Sequence, residues 1–232
     1  MTNIEIEALL SNGYDNLKLN KFSEAIKFFE KAYKINNDYP KTLFLLGVAN
    51  ATLKNFEQAK KFLYKASTIN PEDYFIQYNL AKVYSDLNRD EEAVKHHIKA
   101  IKINSNYFEA YSNLGNAFIN SQRLDEAMKN FDKAIKIKPD FAQAYHGKAY
   151  ILMKFQKLEE AIKNWNKAIE IKSDFIPAYI ERGHAFATLN RLQEALESYN
   201  TAYTLNPDYK FLLGDLIHTN FKLCNWQNEK EN

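Results

Sequence analysis

The sequence is poor in glycine, proline and cysteine, and each shortage excludes something. Six glycines and five prolines among 232 residues are too few for a protein built of sheets and tight turns. A lone cysteine, Cys224, rules out an internal disulfide framework and predicts a reducing, cytoplasmic setting. Charge of one sign is also missing. Lys and Arg number 31 against 29 Asp and Glu, a net charge of +2, so neither nucleic acid nor an anionic membrane is an expected partner. No apolar run approaches the roughly 18 residues of a membrane span, and the opening "MTNIEIEALL" lacks the basic-then-apolar order of a secretion leader. Glycine-rich phosphate loops and nucleophile motifs are not found either, so neither catalysis nor a cofactor is expected. What is present is 46% hydrophobic and 26% charged residues, the balance of a soluble chain with a substantial core.

An internal period organises that core. Alanine recurs every 34 residues at Ala25, Ala59, Ala93, Ala127, Ala161 and Ala195, and again at Ala32, Ala66, Ala100, Ala134, Ala168 and Ala202. Between the two series runs a mostly bulky one: Phe29, Leu63, His97, Phe131, Trp165 and Tyr199. In "LDEAMKNFDKAIKIKPDF" (124–141) the apolar residues step by three and four, which places them on one stripe of a helix. The preceding "FEAYSNLGNAFINSQ" (108–122) does the same through Tyr111, Leu114, Gly115 and Phe118. Gly115 recurs as Gly13, Gly47 and Gly183, with Ala81 and Ala149 as substitutes. A glycine inside a helix costs up to about 1 kcal/mol, and its repetition predicts close approach of a neighbouring helix. Asn37, Pro71, Ser105, Pro139, Ser173 and Pro207 then stop the second helix of each copy.

These residues resemble the tetratricopeptide repeat pattern, Tyr/Leu…Leu-Gly…Ala…Phe…Ala…Pro, over nearly the whole chain. Copies fall at 6–39, 40–73, 74–107, 108–141, 142–175 and 176–209, giving six repeats in 1–209 and a C-terminal capping or junction segment over 210–232. The resemblance implies an all-α fold: antiparallel helix pairs stacked into a right-handed superhelical solenoid. Stacking is also a physical need, because one helix pair buries too little to offset an ordering cost of about 1–2 kcal/mol per residue. In the third copy Asp90 replaces a bulky residue and His97 takes an aromatic slot, so that copy is expected to pack most loosely.

The resemblance further implies that the first helix of each pair lines a concave groove. On that mapping the candidate peptide-binding residues are Tyr78, Asn79, Lys82, Asn113, Asn116, Asn120, His146, Tyr150 and His184. Flat rings beside amides that both donate and accept suit an extended peptide backbone. The dicarboxylate clamp of chaperone-binding relatives is not expected, since residues such as Leu10, Tyr14 and Leu45 stand at its positions. His96 and His97 are adjacent, about 100° apart on a helix, so they are not expected to share a metal.

The last segment breaks the period: Glu229 stands where the six copies have alanine. Apolar residues spread around its helix, and Phe211, Leu212, Leu216, Phe221 and Trp226 are the candidate docking residues, for a partner protein or a second copy. "LIHTNFKLCNW" (216–226) is also similar to the junction between repeats and catalytic region in SPINDLY-type O-linked N-acetylglucosamine transferases, through Leu216, His218, Cys224 and Trp226. That similarity implies a substrate-presenting arm of such a glycosyltransferase whose catalytic domain lies outside this chain. The expectation ranked ahead of it is a non-catalytic scaffold for protein or peptide partners.

Overall fold

The computed structural model describes the backbone of residues 2–209 and 212–230; Phe211 and the side chain of Trp226 lie outside the described residues. Every regular element among them is an α-helix. Residues up to Gln122 form one compact unit and those from Arg123 onward a second. The first holds α1 (Thr2–Lys18), α2 (Phe22–Ile35), α3 (Pro40–Thr52), α4 (Phe56–Ile69), α5 (Tyr74–Asp86), α6 (Asp90–Ile103) and α7 (Phe108–Asn120). The second holds α8 (Leu124–Ile137), α9 (Ala142–Lys154), α10 (Leu158–Ile171), α11 (Ile176–Thr188), α12 (Leu192–Leu205) and α13 (Leu212–Lys230). Within each unit the order is that of an all-α repeat solenoid, helix hairpin after helix hairpin.

The period is legible atom by atom. All twelve alanines of the two series are fully buried, and so is the bulky series between them, His97 included. At Gly13 a Cβ would stand 2.2 Å from the Phe29 ring, and at Gly183 it would stand 2.4 Å from that of Tyr199. The expected close approach therefore exists, and hydrogen is the only substituent it accommodates without a shift.

The hairpin turns repeat as well. Asn20, Lys54, Asn88, Gln122, Gln156 and Asn190 all have positive φ, between 56° and 62°. Each follows the first helix of a copy, in the left-handed position where helices commonly end. A bond then runs back from the next residue to the helix, as from Arg89 N–H to Tyr84 C=O at 2.8 Å and from Lys157 N–H to Leu152 C=O at 2.9 Å. Glycine occupies none of the six sites, so the chain carries a local strain of about 1–2 kcal/mol at each, least where asparagine stands.

Carboxylates in the first turns of the second helices face the helix dipole, as in Asp90–Glu92 of α6. They do not cap by side-chain hydrogen bonds. Instead Glu92 pairs with Arg89, Glu126 with Arg123 at 2.9 Å, and Glu194 with Arg191, each one turn upstream. These pairs are solvent-exposed, and water screens them, so they add little to stability. Asp73 is a true side-chain cap, accepting from the N–H groups of Phe75 and Ile76.

Candidate functional site

On the first-helix side of the first unit, α5 presents Lys82 while α7 presents Asn113, Asn116 and Asn120 at steps of three and four. These four line one cleft of about 180 Å³ together with Ser85, Asp86, His97 and Ala117. The spacing brings them together because residues three and four apart share a helix face.

Their hydrogen bonds narrow what the cleft offers. Asn113 Nδ2 donates to the Tyr78 hydroxyl at 2.9 Å, and Asn120 Nδ2 donates to Asp90 Oδ1 at 3.0 Å. Asn79 lies outside the cleft lining and spends its amide on its own helix, donating to Phe75 C=O at 2.8 Å. Asn79 and Asn113, one period apart, thus make different bonds. With one N–H of each amide engaged, Asn113 and Asn120 keep a second donor and present their carbonyl oxygens, which accept N–H groups.

Tyr78 is held in an aromatic group. Its ring meets that of Tyr107 edge-on at 4.8 Å and lies 5.7 Å from the His97 ring, and Lys82 Nζ stands 5.6 Å from its centre. Burial, with Glu109 nearby, raises the Tyr78 hydroxyl above its ordinary range. His97 is fully enclosed, so the third copy is not loosened at that slot, and neither ring nitrogen has a partner. Burial pushes its pKa down to about 3, which leaves the ring neutral across the physiological range.

In the second unit the candidates sit among charges that the sequence reading passed over. His184 Nε2 is 3.2 Å from Asp215 of α13, and its Nδ1 is 3.7 Å from Glu181. Glu181 first and Asp215 second hold the His184 pKa above its usual value. The two carboxylates address opposite ring nitrogens, so this group is an ion-pair bridge rather than a metal site. No group of three metal-binding side chains occurs among the described residues. His146 has an unpartnered Nδ1, packs against Phe175 and is pushed down by burial. Tyr150 carries Lys154 Nζ 5.2 Å from its ring centre. The signal in the sequence for Glu181 is a carboxylate three residues before a histidine, one helical turn away.

The structure divides the docking residues. Leu212 and Leu216 are 1% and 7% exposed and belong to the core beneath α13, so they offer no surface. Phe221 is 65% exposed and lies in a stripe with Leu213 at 56% and Ile217 at 62%, one turn apart each. Leu213 and Ile217 thus replace Leu212 and Leu216 as candidates, and Cys224 is also exposed. No helix among the described residues is long and apolar enough to cross a membrane.

Family models of the tetratricopeptide repeat match residues 108–141, 83–122 and 149–190, and 16–39, 40–73 and 176–209. They carry the repeat resemblance; that of 216–226 to the glycosyltransferase junction finds no support in them. None of the curated proteins matches in sequence. Among solved structures, MamA is 25% identical with a TM-score of 0.65, covering 69% of this chain and 94% of its own. PilF of Pseudomonas aeruginosa is 15% identical with a TM-score of 0.79, over 95% of this chain and 99% of its own. YrrB, described as a TPR protein with an unusual peptide-binding site, is 19% identical with a TM-score of 0.60, over 80% and 96%. At those two identities the likeness is one of fold.

Proposed function

Because the chain belongs to the tetratricopeptide repeat family, whose models together span well over half of it, we propose that it is a non-catalytic scaffold that holds an extended peptide against the first-helix face. The observation that carries this reading is the convergence of Lys82, Asn113, Asn116 and Asn120 on one cleft between α5 and α7. Carbonyl oxygens there accept peptide N–H groups, and Lys82 supplies a cation for a peptide C=O or carboxylate. Each bond nets about 0.5–1.5 kcal/mol, so several must act together. The single cysteine supports a reducing, cytoplasmic setting.

Random dodecapeptides displayed on phage and panned on the full chain supply a ligand for the test. Replacing Lys82, Asn116 and Asn120 together by alanine weakens a selected peptide by roughly 10- to 1,000-fold, while Asn79→Ala, outside the cleft, leaves it unchanged. Peptides indifferent to the triple variant would refute the groove. In the same reading the stripe Leu213, Ile217, Phe221 is covered by a second copy. Sedimentation velocity at rising concentration then moves toward dimer for the parent chain and not for Ile217→Ser/Phe221→Ser; a strictly monomeric parent removes this part.

A further inference from the structure

The period that fills each junction between consecutive copies fails at one of them, in two registers at once. Between the first and second copies the junction is apolar: Tyr33 and Phe62 meet edge-on at 5.6 Å, packed with Leu43. One period later the same three slots hold Ser67, His96 and Gln77. The Ser67 slot carries tyrosine or isoleucine in every other copy, and the Gln77 slot leucine or tyrosine. Where rings filled space there is now a cleft of about 540 Å³ among α4, α5 and α6, distinct from the α5–α7 cleft.

This cleft has defined polar chemistry. Gln77 is nearly fully buried, and its Nε2 donates to Pro71 C=O at 3.1 Å, which fixes the direction of the amide. Its Oε1 therefore accepts from His96 Nδ1, 2.7 Å away, and the imidazole keeps its proton there. That leaves His96 Nε2 as an acceptor on a ring stacked against Tyr84 at 5.3 Å. Ser67 and Thr68 donate their hydroxyls to Tyr64 C=O and Lys65 C=O, both at 2.8 Å, and so present lone pairs too.

Lys99 and Lys102 supply the positive charge, against the single carboxylate of Glu72. Neither lysine has an ion-pair or hydrogen-bond partner among the described residues. The contrast with the preceding copy is direct: Lys65, the counterpart of Lys99, is engaged by Asp38 at 2.8 Å. Acceptors for N–H groups beside two free cations fit one class of ligand. We infer that the cleft formed by Ser67, Gln77, His96, Lys99 and Lys102 is a second binding site, for an acidic peptide segment. Its backbone N–H groups meet His96 Nε2 and the hydroxyl oxygens, and its carboxylates meet the two lysines. The adjacent histidines then serve different clefts, His97 the first-helix side and His96 this one.

Hexaglutamate titrated into the ¹⁵N-labelled full chain tests this, read by amide and imidazole resonances. The expected result is saturable shifts at Ser67, Thr68, His96 and Lys99. Ser67→Tyr, which restores the residue of the first and sixth copies without altering charge, weakens binding at least tenfold, and so does Lys99→Glu/Lys102→Glu. Circular dichroism confirms that both variants stay helical; if Ser67→Tyr does not, Ser67→Ile, the residue of three other copies, replaces it. Absent shifts, shifts confined to Lys82 and Asn116, or loss in the charge variant alone would each overturn the proposal, the last by showing mere attraction to lysines.

Discussion

At Gly183 the Tyr199 ring takes the space a side chain would need, and both residues are buried. Ala81 and Ala149 show that alanine fits this register in other copies, where His97 and Trp165 take the place of the facing tyrosine. Gly183→Ala forces a rigid ring to move and is expected to destabilise the chain by about 1–3 kcal/mol, measured by urea unfolding. His97 makes the opposite point, since phenylalanine would suit its slot better. The folded pKa of about 3 lies below the ordinary 6.5, so the unfolded chain binds the extra proton between those values. Stability from this group is complete above pH 6.5 and is lost as pH falls toward 3. His97→Phe removes two unpartnered buried nitrogens and flattens the pH dependence of the unfolding midpoint below 6.5. A parent and variant with parallel pH profiles would contradict the assignment.

Among the helices, α13 is held in two ways. Leu212 and Leu216 bury one face, and Asp215 reaches His184 on α11. The first hold is hydrophobic and indifferent to pH, whereas the second titrates. His184 has a raised pKa, so its contribution is complete below pH 6.5 and fades as pH rises through the raised value. The group is partly exposed, which keeps the contribution modest. Amide exchange, corrected for its intrinsic pH dependence, is expected to show α13 opening more readily at pH 8 than at pH 6, with Asp215→Asn abolishing the difference. Measured at concentrations dilute enough to keep the chain monomeric, Leu212→Ala costs about 2–5 kcal/mol of packing, while Ile217→Ser stays within about 0.5 kcal/mol. Equal losses there would mean that the stripe is already covered within a single chain.

For the whole molecule, stacked copies gain stability from their neighbours, and such arrays depart from all-or-none unfolding. Trp165 is fully enclosed in α10 and reports on the second unit, provided that Trp226 is first replaced by phenylalanine. Its fluorescence transition in urea is expected not to coincide with the loss of helical circular dichroism, which averages over all described helices. Coincident curves would show a single cooperative body.

The sequence by itself determined the repeat: where helices begin and stop, which residues are buried, and which faces meet. A 34-residue period in small and large side chains leaves one way to bury them, and the alanines, the bulky series and the glycine contacts all lie where that period puts them. Four of the candidate groove residues were legible for the same reason, being a matter of helical spacing. Tertiary structure alone decided the rest. Whether an asparagine keeps its donors depends on partners such as Tyr78, 35 residues away, and Asp90, 30 residues away. The inward face of α13 depended on how α12 received it, because a helix apolar on several sides has no preferred side until a neighbour covers one. Ser67 and Gln77 are scattered departures in the sequence; only packing brings them beside His96 and makes a cleft of the three.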